Sequence, residues 1–491
     1  ILLPFITRTV MIRTLGMKYL GLNSLFTSIL SMLNLAELGV GSAMVFSMYE
    51  PVANDDKEKV CALLNLYRLY YRIIGLVIGV VGVGLIPFLP KLIKGSVPPD
   101  IDLTALYLLN LGATVLSYWL LAYRGSVLSA HQREDVASKV RIVMTIIQNI
   151  LQIVLLFILP NYYYYVIITL FIQVCTNVTI AFFAKKLYPE YSPRGKLDKE
   201  VAGDINRRIA DLFTSRLGSV IFSSVDSMVI STFLGLEMVA IYHNYYYVAN
   251  ALIGILQVVY QACMAGIGNS IITETREKNF KDLNKLTFII GWAAGFCSCC
   301  LVAMYQPFIR LWAGEESLQP FGFVVCMAIF FFVWEMYRLL NVYKDAAGIW
   351  HDDRFRPLAS ALTNLAINII TVRYWGLYGI ILSTVLSVLF VGTPWLIHNI
   401  FNTIFDVKYR GSYLKKVAFY TVVTTLACTI NYLVCRLVPG KDLFVLIIRA
   451  VISCIIPNVI YFLFYFRTKE FDDALSLVSN LTGGRINLKR S

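Results

Sequence analysis

Residues 60–89 read VCALLNLYRLYYRIIGLVIGVVGVGLIPFL, a run whose only charges are Arg68 and Arg72. At 1.5 Å per residue such a helix is about 45 Å long, more than the roughly 30 Å of a bilayer's hydrocarbon core. The stretch therefore reads as a membrane span carrying two guanidiniums where hydrocarbon disfavours them. The rest of the chain reads the same way. Of 491 residues, 58% are hydrophobic and only 15% charged, which excludes an ordinary soluble domain. Roughly 285 apolar residues at about 20 per span supply up to fourteen transmembrane helices, and a mean hydropathy of +0.68 agrees.

The predicted fold class is an all-α polytopic membrane protein of about 14 spans, at 1–15, 20–48, 60–89, 103–128, 138–159, 163–185, 208–235, 238–271, 286–312, 320–345, 357–374, 376–402, 414–437 and 442–466. The formal charge of +13 sits in short gaps between these runs and not in a basic domain, so nucleic acid is not the expected partner. Lys and Arg concentrate in the gaps 49–59, 129–137, 186–207, 272–285, 346–356 and 403–413, whereas 160–162 and 236–237 hold none. That asymmetry places the former gaps and both termini on the cytoplasmic side. The longest gap contains Pro189, Pro193 and Gly195 and reads as a linker. The predicted organisation is an N-terminal six-helix bundle over 1–187, a linker over 188–207, a second six-helix bundle over 208–402, helices 13 and 14 over 414–466, and a cytoplasmic tail over 467–491. The chain opens on Ile1, and the run before Gly16 is shorter than a span, so helix 1 is expected to be truncated; no cleavable signal peptide is visible.

Collinear fragments point to duplication. Leu15-Gly16-Met17-Lys18-Tyr19 resembles Leu234-Gly235-Leu236-Glu237-Met238, Gly39-Val40-Gly41-Ser42 resembles Gly266-Ile267-Gly268-Asn269, and Ile73-Ile74-Gly75 matches Ile289-Ile290-Gly291. The run from Pro90 to Gly95 resembles that from Pro307 to Leu311, and Tyr123-Arg124 matches Tyr337-Arg338. With an even number of spans per half the repeats are parallel, and two such halves rocking about a central cavity give alternating access.

The candidate cavity is marked by ionisable residues inside spans: Arg8, Arg13, Arg68, Arg72, Arg124, Arg216 and Arg338 as diphosphate-binding residues, with Glu37, Asp226 and Glu335 as ion-coupling or charge-pairing groups. Arg449 belongs to the same inventory. Arg68 and Arg72 are spaced i,i+4, and Glu37 should lie at comparable depth in the antiparallel preceding span. One reading is a structural Glu37–Arg pair; the other is an anion site in which one Arg pairs with Glu37 and its neighbour stays available. Glu335 and Arg338 are spaced as an intrahelical i,i+3 pair. Arg13 lies close enough to Gly16 to snorkel outward, whereas Arg8 is deeper. Asp226 is either a proton or cation site or the partner of an Arg. An excess of buried Arg implies an anionic cargo, since the guanidinium fork matches phosphate oxygens and stays charged at physiological pH. Tyr162 to Tyr165 read as an aromatic belt, and of Tyr245, Tyr246 and Tyr247 at most two can face one cavity. The ten Cys lie in apolar runs without His at ligand spacing, and four scattered His lack partners for catalysis, so neither a metal nor an enzymatic activity is expected.

The segments Arg8…Arg13-Thr-Leu-Gly-Met-Lys-Tyr-Leu-Gly-Leu, Leu35-Ala-Glu-Leu-Gly-Val-Gly-Ser-Ala and Phe233-Leu-Gly-Leu-Glu-Met-Val-Ala-Ile-Tyr resemble the bacterial O-antigen and polysaccharide flippases of the multidrug/oligosaccharidyl-lipid/polysaccharide (MOP) exporter superfamily. The resemblance covers essentially the whole chain; Trp375-Gly-Leu-Tyr-Gly is a weaker trace of it. It implies fourteen helices and translocation of an undecaprenyl-diphosphate-linked oligosaccharide from the inner to the outer leaflet of the cytoplasmic membrane. It also implies cavity arginines late in helix 1 and in helix 3, matched by position to Arg8, Arg13, Arg68 and Arg72, and a helix-7 cation site at Asp226. Coupling to an ion gradient (Na+ or H+) or to membrane potential is implied, with no cofactor and with the polysaccharide polymerase machinery as a further partner. No Gly-x4-Gly-Lys-Ser/Thr nucleotide motif is present. The alternative is a cation-coupled multidrug antiporter of the same superfamily, in which cavity carboxylates should outnumber arginines; here the balance is reversed. A lipid-linked-sugar polymerase or ligase would need catalytic groups and commonly a large external loop, and the predicted external loops are short.

Overall fold

The computed structural model describes residues 2–37, 39–440 and 442–481. Eighteen α-helices follow one another: α1 Leu2–Thr14, α2 Met17–Leu33, α3 Val40–Ala53, α4 Lys57–Leu85, α5 Leu103–Trp119, α6 Gly125–Ala130, α7 Glu134–Ile158, α8 Tyr162–Leu187, α9 Lys199–Leu234, α10 Leu236–Thr273, α11 Arg276–Ala313, α12 Phe321–Ala346, α13 Arg356–Trp375, α14 Leu377–Ser387, α15 Thr393–Thr403, α16 Arg410–Arg436, α17 Leu443–Tyr465 and α18 Lys469–Leu481. There is no strand among the described residues. Each expected span has its helix or helix pair, and the chain is an all-α multi-pass membrane protein. Ten helices among the described residues are long and apolar enough to cross a membrane unaided, or eleven when α5 and α6, bent by 45° at their junction, count as one. Those short of that standard are α1, the broken α2–α3 pair and α13.

The helices are apolar on the outside, as lipid demands. On α7, Ile142, Val143, Ile146, Ile150 and Phe157 are exposed, while Asn149 and Gln152 are buried. Thr7 donates to Asn149 Oδ1 at 2.7 Å and Gln152 donates to Thr169 Oγ1 at 2.8 Å, so polar groups join helices where water is absent. The cysteines pack likewise: Cys299 Sγ lies 3.3 Å from Cys428 Sγ and 3.7 Å from the Tyr461 hydroxyl.

One expectation is corrected. The second span, expected to be continuous over 20–48, breaks into α2 and α3 around a 3-10 turn at Asn34–Glu37, and Gly39 takes the left-handed φ of 89° that a side chain would resist. Its repeat counterpart, Gly266, lies inside the unbroken α10. The physical difference is Glu37, whose carboxylate is drawn to hydroxyls on two other helices, as described below. The Leu-Gly turns of the repeat do share a conformation: Gly16 has φ 101° and ψ 175°, and Gly235 has φ 94° and ψ 173°. A Cβ at Gly235 would come within 2.9 Å of the Lys94 carbonyl oxygen.

Contacts divide the chain into two units, residues 1–240 and 241–491. In the first, α4 packs on α5, α1 on α7 and α2 on α9, around buried Leu22, Leu25, Met44, Leu63 and Tyr107. The segment after α8 is tied to α4: Ser192 donates its backbone N–H to Cys61 Sγ at 3.4 Å, Asn65 donates to the Gly195 carbonyl at 2.8 Å, and Tyr70 donates to Asn206 at 2.7 Å. In the second unit α11 runs among α12, α16 and α17. The amphipathic α18 closes one end of this group, with Phe471 against Phe288 and Trp292 and Lys416 paired to Glu470 at 2.5 Å.

Candidate functional site

The break at Glu37 builds a cluster in the first unit. Tyr67 and Tyr71, one turn apart on α4, face the 3-10 turn, and Tyr118 reaches it from the end of α5. Tyr71 donates to Glu37 Oε1 at 2.6 Å, Tyr118 donates to Oε2 at 2.7 Å, and Tyr67 donates to the Tyr71 hydroxyl at 2.8 Å. Each carboxylate oxygen thus has a phenol, and the rings of Tyr71 and Tyr118 meet edge to face at 5.3 Å. No Lys, Arg or His among the described residues lies within ion-pair distance of Glu37. The expected Glu37–Arg pair does not form. Positions 67 and 71 take the face of α4 turned toward Glu37, and positions 68 and 72 lie about 100° further round.

The arginines of α4 go elsewhere. Arg68 donates to Asn65 Oδ1 at 2.8 Å, and Arg72 is exposed within a stripe of exposed Leu69, Ile73 and Leu76. Among the described residues neither makes an ion pair, nor does Arg13, exposed in the last turn of α1. Arg8 is half-buried in α1, and Asp226 is buried in α9. The Arg216 side chain lies outside the described residues. Arg124 sits at the bend between α5 and α6, its Nε buried without an acceptor.

The second unit holds the other glutamate. Glu335 is fully buried in α12, accepts from the Tyr260 hydroxyl at 2.7 Å and pairs with Arg338 at 3.1 Å. Arg338 also donates to the Ile253 carbonyl at 3.1 Å and to Gln257 Oε1, and its guanidinium lies 5.1 Å from the Tyr260 ring centre. Tyr123-Arg124 and Tyr337-Arg338, matched in sequence, therefore have different surroundings. Tyr245, buried, is packed between Tyr305 and Phe323, and Tyr247 stacks on Trp312.

Two polar groups escaped the sequence reading. Arg356, nearly completely buried, makes a two-pronged pair with Asp353, both contacts 2.6 Å, and donates to Asn341 at 2.8 Å and to the Tyr337 hydroxyl. Lys344 adds its ammonium 3.6 Å from Asp353. Burial pushes the Asp353 carboxyl up to about 6 against the pull of Lys344, so its charge depends on the cations gathered round it. The i,i+3 spacing of Asp353 and Arg356 was the available signal, hidden because both were read as gap residues. Deeper, Asn364 donates to Ser383 at 3.2 Å and Thr384 at 3.0 Å, and Asn368 donates to Asn364 at 3.1 Å. Single Asn and Ser residues in apolar runs carry no comparable signal.

Residues 1–264 match the family model described as polysaccharide biosynthesis protein. No curated protein sequence matches the chain. Among solved structures, the chain is similar to the lipid II flippase MurJ in an inward closed conformation, at 16% identity and a TM-score of 0.72, over 94% of this chain and 96% of that one. It is also similar to an inward-facing multidrug resistance MATE family transporter of the MOP superfamily, at 16% identity and a TM-score of 0.63, over 84% of this chain and 94% of that one. A MATE structure in a bent conformation matches at 14% identity and a TM-score of 0.56, over 84% and 92%. At these identities the likeness establishes the fold, that of the MOP transporters. The family-model match covers more than half of the chain, and with it the chain belongs to the polysaccharide biosynthesis protein family of flippase-type membrane proteins.

Proposed function

We propose that the chain moves an undecaprenyl-diphosphate-linked oligosaccharide from the inner to the outer leaflet of the bacterial cytoplasmic membrane by alternating access, with both termini cytoplasmic. The observation that carries this reading is the pairing pattern. Phenols occupy both oxygens of Glu37, so Arg68 and Arg72 are not consumed by the nearby carboxylate, and Arg13 has no carboxylate either. Guanidiniums within spans without an internal counter-charge suit an anionic cargo, because a diphosphate supplies the missing charge and a planar set of acceptors. Arg13, Arg68 and Arg72 are assigned to the diphosphate on that ground, and Arg8 and Arg216 on the sequence alone. Arg338 is assigned to neutralising Glu335, and Arg124 has surroundings of its own. The polyprenyl tail stays in lipid while the head group crosses. The chain acts without catalysis.

Driving force is assigned to Na+ or H+ acting at Glu37, with Asp226 as a second group. An ion moves a two-state equilibrium only by binding the states unequally. Glu37 accepts from two phenols and, among the described residues, has no cation within ion-pair distance, so a bound cation adds a net charge there, whereas Glu335 already has Arg338 beside it.

The test is complementation of a flippase-null strain, scoring lipid-linked oligosaccharide left on the cytoplasmic leaflet. Rescue by the wild type with accumulation in Arg72→Ala and Arg68→Ala supports the reading. Failure with several cognate substrates, beside cation-dye efflux, supports the multidrug antiporter that the MATE likeness also accommodates.

A further inference from the structure

Among the described residues the Arg124 guanidinium has no ion-pair or hydrogen-bond partner, and it lines a pocket. The chain bends at Leu121, whose φ is +59°, and the turn Ala122–Arg124 swings the guanidinium toward the end of α8 and the segment beyond it. Leu64, Arg124, Lys185, Tyr188, Tyr191 and Pro193 line the pocket. Arg124 Nε is sealed from solvent yet donates to nothing, and the guanidinium makes neither an ion pair nor a side-chain hydrogen bond. A buried donor without an acceptor costs on the order of 1–3 kcal/mol, more when charged, unless something outside the chain accepts from it. Lys185, also without an ion pair, stands at the rim, with Lys186, Arg194 and Lys196 close by in sequence.

The walls are held in place. His131 stacks on Tyr188 with ring centres 4.0 Å apart and lies 2.9 Å from the Val127 carbonyl through Nδ1, while the Tyr191 hydroxyl is 3.4 Å from His131 Nε2. Both tyrosines line the pocket. Its enclosed part, about 10 Å³, takes one water-sized group such as a single phosphoryl oxygen, and the wider cleft of about 230 Å³ opens to the surface. On α8, Val178 and Phe182 are exposed on the same stripe as Lys185, giving an apolar track that leads away from the cations along the helix.

We propose that this pocket binds the phosphoryl group of an anionic membrane lipid, the phosphate facing the Arg124 guanidinium and Lys185 and an acyl chain lying along Phe182 and Val178. Lys/Arg asymmetry puts this end of the first unit on the cytoplasmic side, where basic pockets between spans meet anionic headgroups. The track of exposed apolar side chains favours a phosphate carried on lipid over a free ion. The site is separate from the arginines assigned to cargo and stands whether or not that assignment holds.

Native mass spectrometry of the full chain, delipidated in detergent and titrated with phosphatidylglycerol or phosphatidylcholine, tests it. The wild type should retain one phosphatidylglycerol at a concentration where phosphatidylcholine is not retained. Arg124→Gln should weaken that binding about tenfold, and Lys185→Gln, altered only at an exposed side chain, about fivefold. Arg124→Lys, which keeps the charge, should fall between wild type and Arg124→Gln. Arg133→Gln, whose guanidinium pairs with Asp135 at 2.8 Å, should bind as the wild type does. Equal retention of the two lipids, unchanged binding in Lys185→Gln and Arg124→Gln together, or full displacement of the lipid by millimolar inorganic phosphate would overturn the proposal.

Discussion

Glu37 and Glu335 are both glutamates among membrane helices, and both accept a tyrosine hydroxyl, yet they end in opposite electrical states. Glu335 has Arg338 at 3.1 Å and is closed from solvent, so the pair is neutral as a unit. Glu37 has Tyr71 and Tyr118, and among the described residues no cation lies within ion-pair distance of it. A carboxylate locked to a guanidinium is neutralised within the protein, because removing either charge strands the other. A carboxylate held by phenols can gain a proton or a metal cation while its neighbours stay in place. Under the proposed function the second unit's glutamate is structural, the first unit's is the ion-responsive one, and the arginines of α4 are left for an external anion.

The largest effect should follow Arg338→Leu, which leaves Glu335 charged and buried and should cost about 3–5 kcal/mol, read as a lower unfolding midpoint in detergent. Adding Glu335→Gln in that background should recover more than half of the loss; failure to recover would mean that Arg338 acts through Ile253 and Gln257 instead. Tyr71→Phe removes the donor to Glu37 and the acceptor for Tyr67, and should cost about 1.5–3 kcal/mol by the same measurement. Glu37→Gln should cost only about 1 kcal/mol, since the amide can accept from one phenol and donate to the other, while the dependence of transport on the imposed ion gradient should vanish. If Glu37→Gln destabilises as strongly as Arg338→Leu, the contrast between the two glutamates is wrong. Asn65→Ala, which frees both Arg68 and the Gly195 carbonyl, should shift stability least, by about 0.5–1.5 kcal/mol.

Apolar runs and charged gaps made the helices legible, because length and hydropathy alone decide which segments enter lipid. The break at Glu37 was not legible. Its cause is the pull of Tyr71 and Tyr118, more than thirty and eighty residues away, on a side chain within an otherwise helical run. The i,i+4 rule found Arg68 and Arg72 on one face of α4 but could not choose between that face and the one bearing Tyr67 and Tyr71. Tyr67 and Tyr71 carry no sequence signal of their own, since tyrosine in a span serves so often as an interfacial anchor. The Glu335–Arg338 link was legible because both partners share a helix. Arg356 was lost for the opposite reason: a boundary drawn one residue inside α13 made a buried ion pair look like part of a solvated gap.

The most direct test of the central claim is headgroup translocation in proteoliposomes loaded with a polyprenyl-diphosphate oligosaccharide, comparing wild type with the double variant Arg68→Gln/Arg72→Gln under the same ion gradient. The double variant should lose at least tenfold in rate with its unfolding midpoint unchanged, since among the described residues neither guanidinium neutralises a carboxylate. Translocation at the wild-type rate would contradict it.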